Sequence, residues 1–243
     1  MLLDRFTSLS PSALRLFRNA PVAWCARYLY ELREDAGCKA WRGRAIEHAL
    51  DQFLFLKTQD PAMLTAAARS SFDEQAMGEI SDEITAERDS LEGYITQAIT
   101  LAAKYPVPFA RQARIERTYA NVDLPVVGYA DWIFEDGGAL DLKTTTALPA
   151  KPRADDVVQV AFYGRKKASL LYVTPKKAAL YHIAPDDIAA ANEDIAQAAR
   201  TLCAALKAFS KPRDMLAVYP LMQDSYLVTD AVRQTVKDAL NGR

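Results

Sequence analysis

The chain has 243 residues, half of them apolar and a quarter charged, with a formal net charge of −1. That length supports one substantial core with helical extensions, and the composition is that of a globular chain rather than a disordered or fibrous one. A charge so near zero excludes a global basic field of the kind that gathers polyanions over a whole surface. Three cysteines, Cys25, Cys38 and Cys203, show no CxxC spacing, which fits reduced thiols in a cytosolic setting. No apolar stretch reaches membrane-spanning length, and the N-terminus lacks a basic segment followed by an apolar one, so a cytoplasmic chain without membrane contact is expected.

In chain order, Ser10 followed by Pro11 reads as a helix start, with Ser10 as N-cap and Pro11 at the first helical position. That helix runs through Leu16 and Phe17 to a break at Pro21, and a second run passes Trp24, Tyr28 and Leu32. A further helix is predicted from about Trp41 to Lys57, with Ile46, Leu50, Phe53 and Leu54 on its apolar side. Residues 61–104 read as two helices, the second carrying Ile84, Leu91, Ile95, Ala98 and Leu101. Pro106 and Pro108 end this helical half. Strands are predicted near 111–119, 124–134 and 139–145, then a helix over about 154–167 and strands near 169–174 and 178–183. A long helix from Pro185 to about Phe209, with Ile188, Ile195, Leu202 and Leu206 as its core stripe, and a last helix near 229–240 complete the chain. This order predicts an α/β (mixed α+β) fold, a small mixed sheet with helices on its faces. Residues 1–243 are read as a single domain, helical over 1–105 and built on a sheet core over 106–243.

Charge is unevenly spread. Between Lys143 and Lys177 there are eight Lys or Arg and two acids, whereas between Asp73 and Glu92 there are eight acids and one base. Any polyanion would meet the first of these stretches, although charge runs are most often solvated faces.

The most informative stretch is Val126 to Thr144. Two β-like runs flank the turn Glu135-Asp136-Gly137-Gly138, a hairpin signal. Period-two alternation puts Asp141 and Lys143 on one face, and Asp131 on the face of Val127, Tyr129 and Ile133. A three-residue loop at Glu135 to Gly137 sets Asp131 directly opposite Asp141. Facing carboxylates repel unless a cation sits between them. A divalent metal held by oxygen ligands removes the conflict, and Lys143 can then serve a bound anion.

Other residues complete this picture. Gln159 and Tyr163 are four apart on the helix after the hairpin, so they share a face and can hydrogen-bond phosphate oxygens or a water. Glu47, four residues after Gly43, offers a third oxygen, and His48 offers an imidazole instead. Glu116, in the first strand, is a further candidate oxygen, or else a solvated acid beside Arg114 and Arg117.

Taken together these residues resemble a family. Ser10-Pro11-Ser12-Ala13-Leu14, Gly43…Glu47, Gly128-Tyr129-Ala130-Asp131, Asp141-Leu142-Lys143 and Gln159…Tyr163 fall in the order of the S-x-S-x-L, G-x-x-x-E/H, G-x-x-D, D-x-K and Q-x-x-x-Y motifs of PD-(D/E)XK nucleases. The resemblance is to the RecB-like and phage-exonuclease branch, to which Cas4 also belongs. It implies a restriction-endonuclease-like core and a Mg²⁺- or Mn²⁺-dependent deoxyribonuclease, expected to be an exonuclease of recombination, repair or phage replication in a bacterial or phage-infected cell. The alternatives are a Cas4-like or structure-specific endonuclease, and a non-catalytic DNA-binding or assembly protein on the same fold. It further implies Asp131, Asp141 and the Leu142 carbonyl as metal ligands and Lys143 as the catalytic lysine, with Gln159 and Tyr163 beside it. Glu47, which keeps the four-residue spacing from Gly43, is expected to complete the site, with His48 on its rim or as the alternative and Glu116 as a further candidate. Arg42, Arg44, Lys151, Arg153, Arg165, Lys166 and Lys167 are the expected sequence-independent DNA contacts. A single-strand annealing protein and self-association are the expected partners beyond DNA. Cluster-bearing members have cysteine where this chain has Ala20, and residues 218–230 contain none, so no iron–sulfur cluster is expected.

Overall fold

A computed structural model describes residues 1–32, 36–219 and 227–241. Ten α-helices and five strands occur among them. The first two helices are α1 (Pro11–Asn19) and α2 (Pro21–Leu29). The Ser10 hydroxyl accepts the Ala13 amide at 3.1 Å, and Pro11 opens α1, so cap and proline act where the sequence placed them. Next come α3 (Cys38–Leu56), α4 (Pro61–Ala76), α5 (Asp82–Asp89) and α6 (Leu91–Ala102). The single helix expected after residue 80 is therefore two. Ser90 interrupts it, turning its hydroxyl back onto the Glu87 carbonyl at 2.7 Å. Ile84 consequently lies on α5, apart from the α6 residues Leu91, Ile95 and Ala98 that enter the core.

The strands are β1 (Ala110–Arg117), β2 (Val126–Ile133), β3 (Ala139–Thr144), β4 (Ala168–Val173) and β5 (Ala178–Ile183), in the sheet order β1-β2-β3-β4-β5. β2 and β4 run antiparallel to β3 and β5 respectively, whereas β3 and β4 are parallel. A parallel pair needs a crossover, and α7 (Ala154–Tyr163) supplies it. The helix expected to reach residue 167 stops at Gly164, whose backbone turns extended. A side chain there would place its Cβ 2.1 Å from the Lys167 carbonyl, so only glycine permits this tight return into β4. The chain ends with α8 (Pro185–Ala208), the short α9 (Pro212–Ala217), which had no sequence signal strong enough to single out, and α10 (Asp230–Asn241). Much of the cysteine-free segment 218–230 lies outside the described residues.

The chain divides into two compact units. One comprises Met1–Glu34, Arg114–Gly128 and Ala190–Arg243. Its core gathers around the fully buried Trp24, ringed by Phe6, Phe17 and Tyr28. Ile195, Leu202 and Leu206 of the expected α8 stripe are buried there. The other comprises Asp35–Ala113 and Tyr129–Ala189. In it Ile46, Leu50, Leu64, Phe72, Leu91, Tyr94 and Ile95 from the helices pack with Trp132, Leu140, Leu171 and Val173 from the sheet. Trp132 and Leu140 thus define the core side of the β2–β3 hairpin. Asp131 and Asp141, one residue along on each strand, point to the other side.

Candidate active site

The hairpin closes as its turn chemistry requires. Phe134 N–H donates to the Gly138 carbonyl and Gly137 N–H to the Phe134 carbonyl, both at 2.9 Å. Gly137 takes φ +76°, a left-handed conformation that glycine adopts freely, and the Asp136 carboxylate accepts the Gly138 amide at 2.9 Å. The loop is therefore Glu135 to Gly137. The register pairs Trp132 with Leu140 and Ile133 with Ala139, which carries Asp131 opposite Asp141.

Asp141 is 1 % exposed. Its Oδ2 lies 2.6 Å from Lys143 Nζ, an ion pair, yet this buried oxygen receives no well-aligned hydrogen bond among the described residues. Lys143 also donates to Gln159 Oε1 at 3.0 Å, and the Gln159 amide donates to the Tyr163 hydroxyl at 3.2 Å. Asp131 Oδ2 accepts the Leu142 main-chain amide at 2.8 Å. Asp131, Asp141, Lys143, Gln159 and Tyr163 are thus brought together by one hairpin and the helix that crosses over after it.

Burial raises the Asp131 carboxyl well above the usual range, and the negative charges of Asp141 and Glu47 push it further; the Leu142 amide and Lys143 offset this only in part. Burial also raises Asp141, against the pull of Lys143. Glu47 is raised by burial and by the charges of Asp51 and Asp141, with the Gln112 amide acting the other way. Burial alone would lower Lys143, but Asp141, Asp131 and Asp156 outweigh it, so its ammonium is held above the ordinary lysine range. The Tyr163 hydroxyl is pushed up to about 12, chiefly by burial, and stays protonated.

Glu47 and His48 part company on α3. Glu47 is half-buried, accepts a hydrogen bond from the Gln112 amide and is close enough to act electrostatically on Asp131. His48 is exposed and shares a 3.2 Å contact with Gln52 one turn on. Glu116 is exposed and ion-paired with Arg114 at 2.6 Å, the ordinary role of a strand acid beside arginines.

Of the expected DNA contacts, Arg42 must be withdrawn. It is 4 % exposed, paired with Glu87 at 2.5 Å, bonded to the Thr144 carbonyl and hydroxyl at 3.4 Å, and its guanidinium stands 4.8 Å from the Tyr94 ring centroid. Its helical position faces the core, where a guanidinium is tolerated because carboxylate, carbonyl and ring all receive it. Arg44 is exposed and bonds Gln75, while Lys151, Arg165 and Lys166 are exposed. Arg153 is exposed and donates to the Thr145 hydroxyl at 3.2 Å, and Lys167 pairs with Asp136 at 2.7 Å.

Three residues near the site were not foreseen. Asp51, one turn beyond Glu47, accepts the Trp132 indole at 2.8 Å and Arg111 at 3.1 Å. Asp156 in the first turn of α7 accepts the Tyr172 hydroxyl at 2.5 Å and acts on Asp141 and Lys143 by its charge. Gln112 is the third. The four-residue spacing of Glu47 and Asp51 was a readable signal; nothing in the sequence marks Gln112. A cleft of about 420 Å³ is lined by Arg44, Glu47, His48, Asp51 and Gln112. The larger cavity, about 800 Å³, lies around Tyr105, Phe134, Ser169 and His182 and includes none of the facing carboxylates; chemistry rather than volume locates the site.

Among the described residues no three His, Cys, Asp or Glu side chains converge as a ready-made metal cage. The donor set still suits a small hard cation. Mg²⁺ commonly takes one or two carboxylates and completes its shell with water and substrate phosphates. Two opposed acids, one of them fully buried and paired, among the described residues, with Lys143 alone, meet that description.

Comparisons with known proteins bear on the fold and the family. Among curated proteins, no sequence matches the chain significantly. A solved structure from Eubacterium rectale, described as a "Putative exonuclease", superposes with a TM-score of 0.61 at 9 % identity, over 91 % of this chain and 92 % of that one; at such identity the likeness is one of fold. A protein named SSO0001 gives a TM-score of 0.34 at 18 % identity, over 65 % of this chain and 85 % of that one, too low to argue from. The family model of the PD-(D/E)XK nuclease superfamily matches residues 8–215, a span that contains the hairpin, the lysine, α3 and the crossover helix. With the motif residues in order on a mixed sheet flanked by helices, and that match extending over most of its length, the chain belongs to the PD-(D/E)XK nuclease superfamily.

Proposed function

We propose that the chain is a Mg²⁺- or Mn²⁺-dependent deoxyribonuclease that hydrolyses phosphodiester bonds as an exonuclease at DNA ends. The observation that carries this reading is the opposed pair Asp131 and Asp141 with Lys143 held between Asp141 and Gln159. Asp131, Asp141 and the Leu142 carbonyl would hold the cation, with Glu47 completing the site directly or through water. When bound, such a cation polarises a phosphoryl oxygen and lowers the pKa of a water.

The chain's own residues do the rest. Lys143, raised by its carboxylate neighbours, keeps its proton at neutral pH. It therefore serves as a fixed positive charge for the phosphate during attack rather than as a base. Gln159 holds the same ammonium that pairs with Asp141, and its own amide is oriented by the Tyr163 hydroxyl. The Tyr163 hydroxyl, protonated at neutral pH, can also donate to a phosphate oxygen. Exposed Arg44, Lys151, Arg153, Arg165 and Lys166, with Lys167 once freed from Asp136, would contact backbone phosphates without reading sequence.

The exonuclease assignment draws on the motif resemblance and on the name of the E. rectale protein, and a single-strand annealing protein as partner follows from the same analogy. Because the family match runs through both compact units, we assign them to one nuclease domain. The test is digestion of end-labelled linear duplex and covalently closed circular DNA, with Mg²⁺ and with Mn²⁺, beside Asp141→Ala. Loss of the linear duplex alone is expected. Cutting of closed circles indicates an endonuclease, and binding without cleavage under either metal indicates a non-catalytic protein.

A further inference from the structure

Successive residues of a strand point to opposite faces, but β1 breaks this rule at Gln112. Its φ is +44°, a left-handed conformation rare for a residue with a side chain. Arg111 and Gln112 are adjacent, yet both reach α3: Arg111 bonds Asp51 at 3.1 Å, and the Gln112 amide donates to Glu47. Glu47 and Asp51 are one helical turn apart, so the irregularity lets one strand grip two acids on a single helix face.

The two grips differ in charge. Asp51 meets a guanidinium and an indole, so its charge is compensated. Glu47 meets a neutral amide, and among the described residues Gln112 is its one hydrogen-bond donor. A neutral donor orients a carboxylate without cancelling its charge, which leaves that charge for a cation. Left-handed residues persist where surrounding contacts hold them and gather at functional sites.

From this we infer that Gln112 is a positioning residue, whose left-handed backbone aims its amide at Glu47 and holds that carboxylate, bonded to no cationic side chain among the described residues, for the divalent cation shared with Asp131 and Asp141. The inference rests on Glu47 belonging to the cation site.

Mn²⁺ binding to the metal-free 243-residue chain, measured by calorimetry alongside thermal unfolding, tests it. Gln112→Gly keeps the backbone conformation and removes the amide. Gln112→Asn also tolerates that conformation but is one methylene too short to reach Glu47, and it serves if the glycine variant folds poorly. Both should weaken Mn²⁺ binding by roughly 10- to 100-fold, as loss of a ligand-orienting partner does. Glu47→Ala should weaken it at least as much, and the Gln112→Gly/Glu47→Ala double variant no further than Glu47→Ala. Unchanged Mn²⁺ affinity in both Gln112 variants, with affinity lost in Glu47→Ala, overturns the inference while sparing the role of Glu47. Unchanged affinity in Glu47→Ala overturns the reading of Glu47 itself. A lowered unfolding temperature with wild-type Mn²⁺ affinity makes Gln112 structural and overturns the inference as well.

Discussion

Two groups of charged side chains are buried within the same compact unit, and they are built on opposite plans. At Arg42, one cation meets one carboxylate, Glu87, along with a carbonyl, a hydroxyl and the Tyr94 ring. At the hairpin, Asp131, Asp141 and nearby Glu47 share one ammonium, Lys143. The first group is balanced. The second carries excess negative charge, and its carboxyls are all raised, chiefly by burial. Burying a charge is tolerated when partners receive it; burying an excess is costly unless something else arrives to neutralise it. Balanced burial marks architecture here, and unbalanced burial is the feature of the proposed active site.

The contrast can be broken most sharply at the hairpin. Asp131→Ala, Asp141→Ala and Lys143→Ala should each lower cleavage by two or more orders of magnitude in a chain that still folds, as circular dichroism would show. Near-normal turnover by Asp141→Ala would sink the mechanism. At the balanced pair the effect should move from activity to stability. Arg42→Ala strands Glu87 and should destabilise the fold by about 3–5 kcal/mol, read from urea denaturation midpoints. A stable Arg42→Ala protein with weakened DNA binding would return Arg42 to the substrate surface.

Acidity sharpens the comparison further. Because Asp131, Asp141 and Glu47 are raised, the metal-free folded chain binds more protons than the unfolded chain. Stability should therefore fall as pH rises from about 4, where unfolded carboxyls ionise, and go on falling until the folded carboxyls have ionised. Thermal unfolding between pH 4 and 8 should show this decline, and Asp131→Asn or added Mg²⁺ should flatten it. A decline of equal slope in Asp131→Asn would remove that carboxyl from the explanation. The smallest effect is expected at Tyr163→Phe, which removes one hydrogen bond worth about 0.5–1.5 kcal/mol and should slow cleavage roughly 2- to 13-fold without altering Mn²⁺ affinity. Loss of metal affinity there, with DNA binding intact, would show that the hydroxyl serves the cation.

The hairpin was legible because its determinants are local. Period-two alternation and a glycine in the turn are enough to bring Asp131 across from Asp141, and the structure closes the loop over Glu135 to Gly137. The Ser10-Pro11 helix start and the α8 stripe were legible for the same reason: caps and periodicity act within a few residues. Arg42 was misread because a helix sequence does not say which polar residue its packing partners will enclose. The break at Ser90 and the early stop at Gly164 also escaped, since Ser is common inside helices and the limit at Gly164 comes from Lys167 folding back against it.

By itself, then, the sequence determined the element types, the caps, the facing acids and the motif order, all of which depend on neighbours a few residues away. Only the tertiary structure decided which acids share a site. Glu47 comes from α3, Asp156 from the crossover helix and Gln112 from the left-handed position in β1; Glu47 and Asp156 act by charge on Asp131, Asp141 and Lys143, and Gln112 bonds Glu47, because helices and strands far apart in sequence pack against one another. The charge excess that distinguishes the site is a property of that assembly, since it depends on how many carboxylates and how few cations are buried together.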